Sequence, residues 1–303
     1  MSRARPLLRW LVPGLLALSL ACAWARLLAG GLGGVTAWYL LISLLPMVAL
    51  LALLPTLLYA AWKRRFGPAL LATLLLGLFA LWPGAWGFGV AQIRYPGSIA
   101  NAQPPVTVRL PSDLPLRVLW GGDALRTNRH AFAPDQRWAY DLLVEPGQNG
   151  SSRLQDYGCW GTPVLAPAAA RVHLTRDDQP EGTPGSFAST AQAFGNFVSL
   201  ELASGTYLVL AHLQPGSVQV HAGERVSEGQ PIGRCGNSGH TTEPHIHIHH
   251  QRQPPDPDHP GFAEGLPLYF RDSDGPAMPQ GGSTVENGHV VLQGAVVRHR
   301  SSG

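Results

Sequence analysis

Charge is scarce in this chain. Only 14% of its 303 residues are charged and the net charge is +3, so the electrostatic footprint of a nucleic-acid-binding protein is missing. Cysteine is rarer still, at three residues. The helical zinc motif His-Glu-x-x-His does not occur, which excludes a site that carries its Glu base on a helix. Roughly the first ninety residues are almost without charge and rich in Leu and Ala, whereas the remainder is polar and rich in Gly and Pro. That remainder has no convincing amphipathic helix.

The uncharged part holds three apolar runs: Trp10 to Ala29, Ala37 to Trp62, and Phe66 to Val90. Each can supply the roughly 20 residues of a spanning helix. Trp38, Trp62, Trp82 and Trp86 sit near run ends, as interfacial aromatics do. Pro46 and Pro55 fall inside the second run, where a membrane helix tolerates them better than a soluble one. Arg3, Arg5 and Arg9 precede the first run, and Lys63, Arg64 and Arg65 separate the second from the third. The stretch Gly30 to Gly34 reads as an uncharged loop, with Arg26 at its edge. Basic segments face the cytoplasm, so three spans leave the polar part outside. If the first run is instead a cleaved signal ending near Ala23-Trp24-Ala25, the polar part is still outside. The composition changes between Ala91 and Ser98. The expected organisation is a transmembrane region over 1–95, an outer domain over 96–275, and a C-terminal strand pair or tail over 276–303.

The outer part reads as strand and turn. Val106 to Leu110, Val198 to Leu202, Tyr207 to Leu210 and Val290 to Leu292 have strand patterns, and Pro-Gly, Ser-Gly and Asn-Gly turns separate strands. A compact antiparallel all-β domain is the class expected. Arg176 to Ala193 reads as an exposed loop. Cys159 and Cys235, the only cysteines of this part, are either a disulfide or two buried thiols. An oxidising compartment favours the bond, which would join the loop after Asp141 to the turn before His245.

Residues 236–247 form a Gly-punctuated turn that delivers His245-Ile246-His247. In a strand, i and i+2 share a face, so one imidazole can bind a metal while its neighbour handles protons. Spacing alone leaves open a histidine-rich surface strand, since the run continues to His249 and His250.

The flanking motifs form a larger pattern. Gly161-Thr162-Pro163-Val164 is followed by Tyr207 to Ala211-His212-Leu213, then by turns at Gly223 and Gly229, then by Pro244-His245-Ile246-His247. In this order they resemble the lysostaphin-type zinc metallopeptidases, the bacterial cell-wall endopeptidases, from about Asn128 to His250. The resemblance implies that family's fold and a zinc cofactor. His247 and Asp141 would be ligands, and His245 and His212 the catalytic histidines. The family's common form has its other ligand His four residues before the Asp, where this chain has Arg137. Some relatives share a Gln-Arg-x-Ala-x-Asp segment with a displaced upstream His, which makes His130 the ligand here. Asp123 and His173 are the fallback candidates, while His240, His249 and His250 read as bystanders, His249 sharing the face of His247 and so placed to line the cleft. Asn196 reads as a turn residue serving the backbone. The implied function is membrane-anchored cleavage of peptide bonds in peptidoglycan, with the domain outside the cytoplasm. Catalytically inactive family members act as regulators, and Arg137 keeps that alternative open. A protease acting on external proteins is a further one.

Overall fold

A computed structural model describes residues 9–64, 66–92, 99–187, 192–286 and 289–300. Arg3, Arg5, Arg65, the side chain of Lys63 and most of the expected boundary at 91–98 lie outside the described residues. The chain divides into two units, Met1–Gly97 and Ser98–Gly303.

The first unit is helical: α1 (Leu11–Ala29), α2 (Gly31–Tyr39), a π-helical turn (Leu40–Leu44), α3 (Leu45–Lys63), α4 (Pro68–Leu81) and the short α5 (Gly84–Gly87). Three of its helical stretches, Leu11–Ala29, Gly31–Trp62 and Pro68–Trp86, are long and apolar enough to cross a membrane. The second begins at Gly31, not Ala37, so the loop expected at Gly30 to Gly34 is largely helix. The chain turns at Gly30 and Gly31, whose φ values of 71° and 62° glycine adopts without a Cβ clash. An apolar segment satisfies its N–H and C=O groups most economically within a helix, even one containing glycines. Pro46 is the second residue of α3, one residue beyond the π turn. It cannot donate a helical hydrogen bond, and the wider turn before it absorbs that mismatch.

The second unit contains β1 (Val106–Val108), β2 (Leu116–Trp120), β3 (Tyr140–Leu143), β4 (Pro163–Leu165), β5 (Ala170–Arg176), β6 (Asn196–Glu201) and β7 (Tyr207–Leu213). It continues with β8 (Arg225–Val226), β9 (Pro231–Arg234), β10 (Ile246–Gln251), β11 (Leu268–Phe270), β12 (Ser283–Glu286), β13 (His289–Leu292) and β14 (Val296–Val297). Eight strands form one sheet in the order β14-β2-β3-β10-β7-β6-β5-β8. Every pairing in it is antiparallel. The pair β1–β11 is parallel, the exception to the antiparallel expectation.

Alternation divides the sheet's chemistry. Tyr140 and Leu142 of β3, Ile246 and Ile248 of β10, and Leu208 and Leu210 of β7 enter the main hydrophobic core. Each such side chain contributes about 1.5–3 kcal/mol on burial. A one-residue slip would turn all of them out of the core, so burial pins the register. The intervening residues Asp141, His247, His249, Val209 and Ala211 therefore share the opposite face. There Val209 and Ala211 pack with Phe194 and Phe197. Residues 245 to 250 are all buried, which rules out a histidine-rich surface strand. The loop expected to be exposed after Arg176 is partly drawn in: the Glu181 carboxylate accepts from the Trp160 indole and from the Asn237 N–H.

Cys159 and Cys235 form the disulfide, 76 residues apart in sequence. It ties the turn before β4 to the residue following β9.

Candidate metal centre

Three central strands bring the site together. In the β3–β10 ladder Asp141 stands directly opposite His247. Their side chains meet on the face away from the core, His247 Nδ1 lying 2.8 Å from Asp141 Oδ1. His245, just before β10, reaches the same oxygen through Nε2 at 3.3 Å.

His130 arrives from outside the sheet. It lies on a 3-10 turn, Arg129–Phe132, between β2 and β3. The buried Asn128 caps that turn by accepting from the His130 N–H, and its own amide donates to the carbonyls of Gly122 and Ala139. One side chain thus fixes the turn to a point two residues before Asp141. His130 Nε2 then sits 2.9 Å from Asp141 Oδ2.

His212 requires a departure from alternation. Its neighbour Ala211 pairs with His247 and shares that face, so a regular strand would turn His212 into the core. Instead the β6–β7 register shifts between Asn196 and Val198, and His212 adopts φ +63°. A bulge with one left-handed residue re-aims a side chain. The His212 ring lies 4.8 Å from that of His245 and 5.6 Å from that of His247. The turn behind it is tight: a Cβ on Gly195, which has φ +60°, would lie 2.3 Å from the Ser238 carbonyl carbon.

Hydrogen bonds set the tautomers of these two rings. His212 Nδ1 donates to the Ser238 carbonyl and His245 Nδ1 to the Glu243 carbonyl, both at 2.8 Å. Each ring, when neutral, therefore turns a bare Nε2 toward the site. Burial, the main cause, and the neighbouring histidines hold His212 well below the usual histidine range. Burial also pulls His245 down, but the Asp141 carboxylate outweighs it and raises the ring to about 8. For Asp141, burial alone would raise the carboxyl. His130 and His245 reverse that and hold it well below the carboxylate range. His247 is lowered to about 3, chiefly by burial.

Two sets of donor atoms each lie within 4.8 Å of one another: His130, Asp141 and His247, and His212, His245 and His247. The first set, two imidazoles and a carboxylate, fits a zinc ion that keeps an open position. Arg137, in the family's usual ligand position, is buried elsewhere. Its guanidinium donates to Asp123 at 2.8 Å and lies 4.9 Å from the Trp138 ring centroid. Asp123 is thus engaged by Arg137 and Trp138, and His173 packs edge-on against Tyr207. Neither belongs to a donor set.

The bystander histidines separate into distinct environments. His240 lies beside the Phe187 ring. His250 contacts the Pro267 carbonyl and the Thr206 hydroxyl. His249, by contrast, is fully buried and 2.9 Å from His247 Nε2. Its i+2 spacing from His247 is the sequence signal for that contact. Asn196 serves the backbone as expected, with its amide donating to the carbonyls of Gln179 and Leu213.

Residues 154–257 match the family model of Peptidase family M23. The match contains His212, His245 and His247, while His130 and Asp141 precede it. No curated protein matches the chain. Among solved structures, the catalytic domain of lysostaphin from Staphylococcus simulans is similar at 20% identity, covering 42% of this chain and 73% of that one, with a TM-score of 0.28. A catalytic-domain mutant of the prophage-encoded M23 protein EnpA from Enterococcus faecalis shows 16% identity, coverage of 53% and 94%, and a TM-score of 0.33. A zinc-containing peptidase from Vibrio cholerae shows 20%, 50% and 40%, and 0.30. At these scores the likenesses carry no further argument. The family match stands on its own: this chain carries a Peptidase family M23 domain at residues 154–257.

Proposed function

We propose that this chain is a membrane-anchored zinc metalloendopeptidase that cleaves peptide bonds in peptidoglycan cross-links or stem peptides outside the cytoplasm. The observation that carries this reading is the convergence of four histidines around one carboxylate. His130, Asp141 and His247 form one donor set, and His212 and His245 stand beside it. His130 through Nε2, Asp141 through its carboxylate and His247 through Nδ1 would hold the metal. Bound zinc supplies a Lewis acid and lowers the pKa of a water from about 16 toward 7.

The remaining chemistry belongs to the chain. His212 is kept neutral by burial and offers a bare Nε2, which suits it to accept a proton. His245 is held protonated near neutral pH by Asp141, which suits it to support a developing oxyanion or return a proton to the leaving amine. The Ser238 and Glu243 carbonyls keep both rings oriented for that work.

The M23 match and an external position support peptidoglycan as the substrate. Three helices of spanning length, with Arg9 before the first and Arg64 after the second, support the anchor and its orientation. On this reading residues 1–95 are the membrane region, 96–275 the peptidase domain and 276–303 a C-terminal strand pair or tail. The alternative is an inactive relative that binds cell wall or regulates a partner hydrolase. It rests on Arg137, and His130 beside Asp141 weighs against it.

Zinc content of the full-length protein, wild type against His130→Ala, tests the site. About one zinc in the wild type and a marked loss in the variant is the expected result, and equal content removes His130 from the ligand set. The zinc-loaded protein should release new amino termini from purified peptidoglycan. Zinc binding without such release would favour the inactive relative.

A further inference from the structure

We propose that His249 and Gln251 are positioning residues that lock His247 in the tautomer with its proton on Nε2, leaving Nδ1 as the donor atom facing Asp141. The inference rests on the metal-site reading above and extends it to residues that hold no metal themselves.

The argument begins at the far end of a hydrogen-bond chain. The Gln251 side-chain NH2 donates to the Gln253 carbonyl at 2.7 Å. A carbonyl only accepts, so the other amide atom, Oε1, must be the one turned toward His249. It lies 2.9 Å from His249 Nε2. An amide oxygen also only accepts, so His249 carries its proton on Nε2. The neutral ring then has a lone pair on Nδ1, which lies 2.9 Å from His247 Nε2. His247 must therefore donate from Nε2. Its remaining nitrogen, Nδ1, is left bare at 2.8 Å from Asp141 Oδ1. Two electron-rich atoms that close repel unless a cation lies between them. The chain thus prepares a cation-binding pair and fixes which ring nitrogen takes part.

Packing makes the arrangement rigid. His247, His249 and Gln251 occupy alternate positions on one face of β10. All three are buried, His249 completely, and the His247 and His249 rings meet nearly edge-on with centroids 5.1 Å apart. Outer partners that fix a ligand imidazole in this way are typically worth about 10–100-fold in metal affinity.

Zinc affinity of the full-length protein in detergent, by competition with a chromophoric chelator, tests the inference, with folding of each variant followed by thermal melting. His249→Leu should bind zinc about 10–100-fold more weakly. His249→Asn should stay within a few-fold of the wild type, since its Oδ1 takes the place of Nδ1 and accepts the same proton. Gln251→Leu should weaken zinc binding, whereas Gln251→Glu, which still accepts from His249, should not. Wild-type affinity in both Leu variants overturns the inference, as does equal weakening in His249→Leu and His249→Asn. Nitrogen-15 spectra of histidine in the metal-free wild type give a readout independent of zinc. They should show the His249 proton on Nε2, and a proton on Nδ1 overturns the proposal. A wild type that binds no zinc overturns the metal-site reading instead, and the nitrogen spectra still decide the hydrogen-bond chain.

Discussion

Three imidazoles lie against the two oxygens of Asp141, His130 beside Oδ2 and His245 and His247 beside Oδ1, and His130 and His245 are the two that favour its charge. A buried carboxylate with that company is held ionised. Asp141→Asn should therefore abolish zinc retention through dialysis. His212→Ala should retain zinc and lose turnover by about 10²–10⁴-fold, as removal of a proton-transfer group does. Metal analysis beside peptidoglycan digestion separates the two outcomes. His245 makes the metal-free protein pH-sensitive. Its folded value of about 8 lies above its ordinary 6.5, so the folded state binds the proton more tightly. The resulting stabilisation is full below 6.5 and is lost as pH rises through about 8. Buried His212 and His247, held below 6.5, work in the opposite direction near neutrality, so the His245 contribution is read as a difference: the melting-temperature advantage of the metal-free wild type over His245→Gln should shrink as pH rises from 6.5 through about 8. Arg137 predicts the reverse pattern. Arg137 is buried but its partner Asp123 is half-exposed, so Arg137→Ala should cost about 1.5–3 kcal/mol in urea unfolding, the range of a hydrogen bond to a charged group, and leave zinc content unchanged.

Among the elements, β10 was largely legible along the chain, whereas β3 carried no strand reading and Asp141 was placed by family resemblance. Alternation around His245-Ile246-His247 places two histidines on one face, and the apolar residues between them fill the core. His212 was identifiable only by family resemblance, because alternation alone sends it to the wrong face. Its position depends on a bulge and a left-handed backbone that no local pattern announces. His130 was harder still. Eleven residues separate it from Asp141, and it reaches the site only because Asn128 pins its turn to Ala139. Alternation already put His249 on the face of His247 as a residue able to line the cleft, but its partners, His247 and Gln251, are visible only in the folded strand. The disulfide belongs to this scale too. It closes a loop of 76 residues between the turn before β4 and the end of β9. Cys159→Ser with Cys235→Ser should lower unfolding free energy by about 4 kcal/mol from loop entropy, measured by urea denaturation of the reduced-sensitive wild type beside the variant.

At the scale of the whole molecule, composition separates an apolar helical unit from a polar β unit because the two bury backbone groups differently. A helix satisfies its own hydrogen bonds, and a sheet needs partners from distant sequence. A reporter fused after Ser98 should be active only outside the cytoplasm, and cytoplasmic activity would overturn the proposed topology. Hydropathy, Trp placement, strand alternation and the His-x-His spacing can all be read along the chain, because each is a local property with a short period. Folding was needed to show that the chain turns at Gly30 and Gly31, that Arg137 turns to Asp123 while His130 lies beside Asp141, and that His212 bends onto the histidine face. Those outcomes depend on cross-strand register, a bulge and a capped turn, which arise from contacts between residues far apart in sequence.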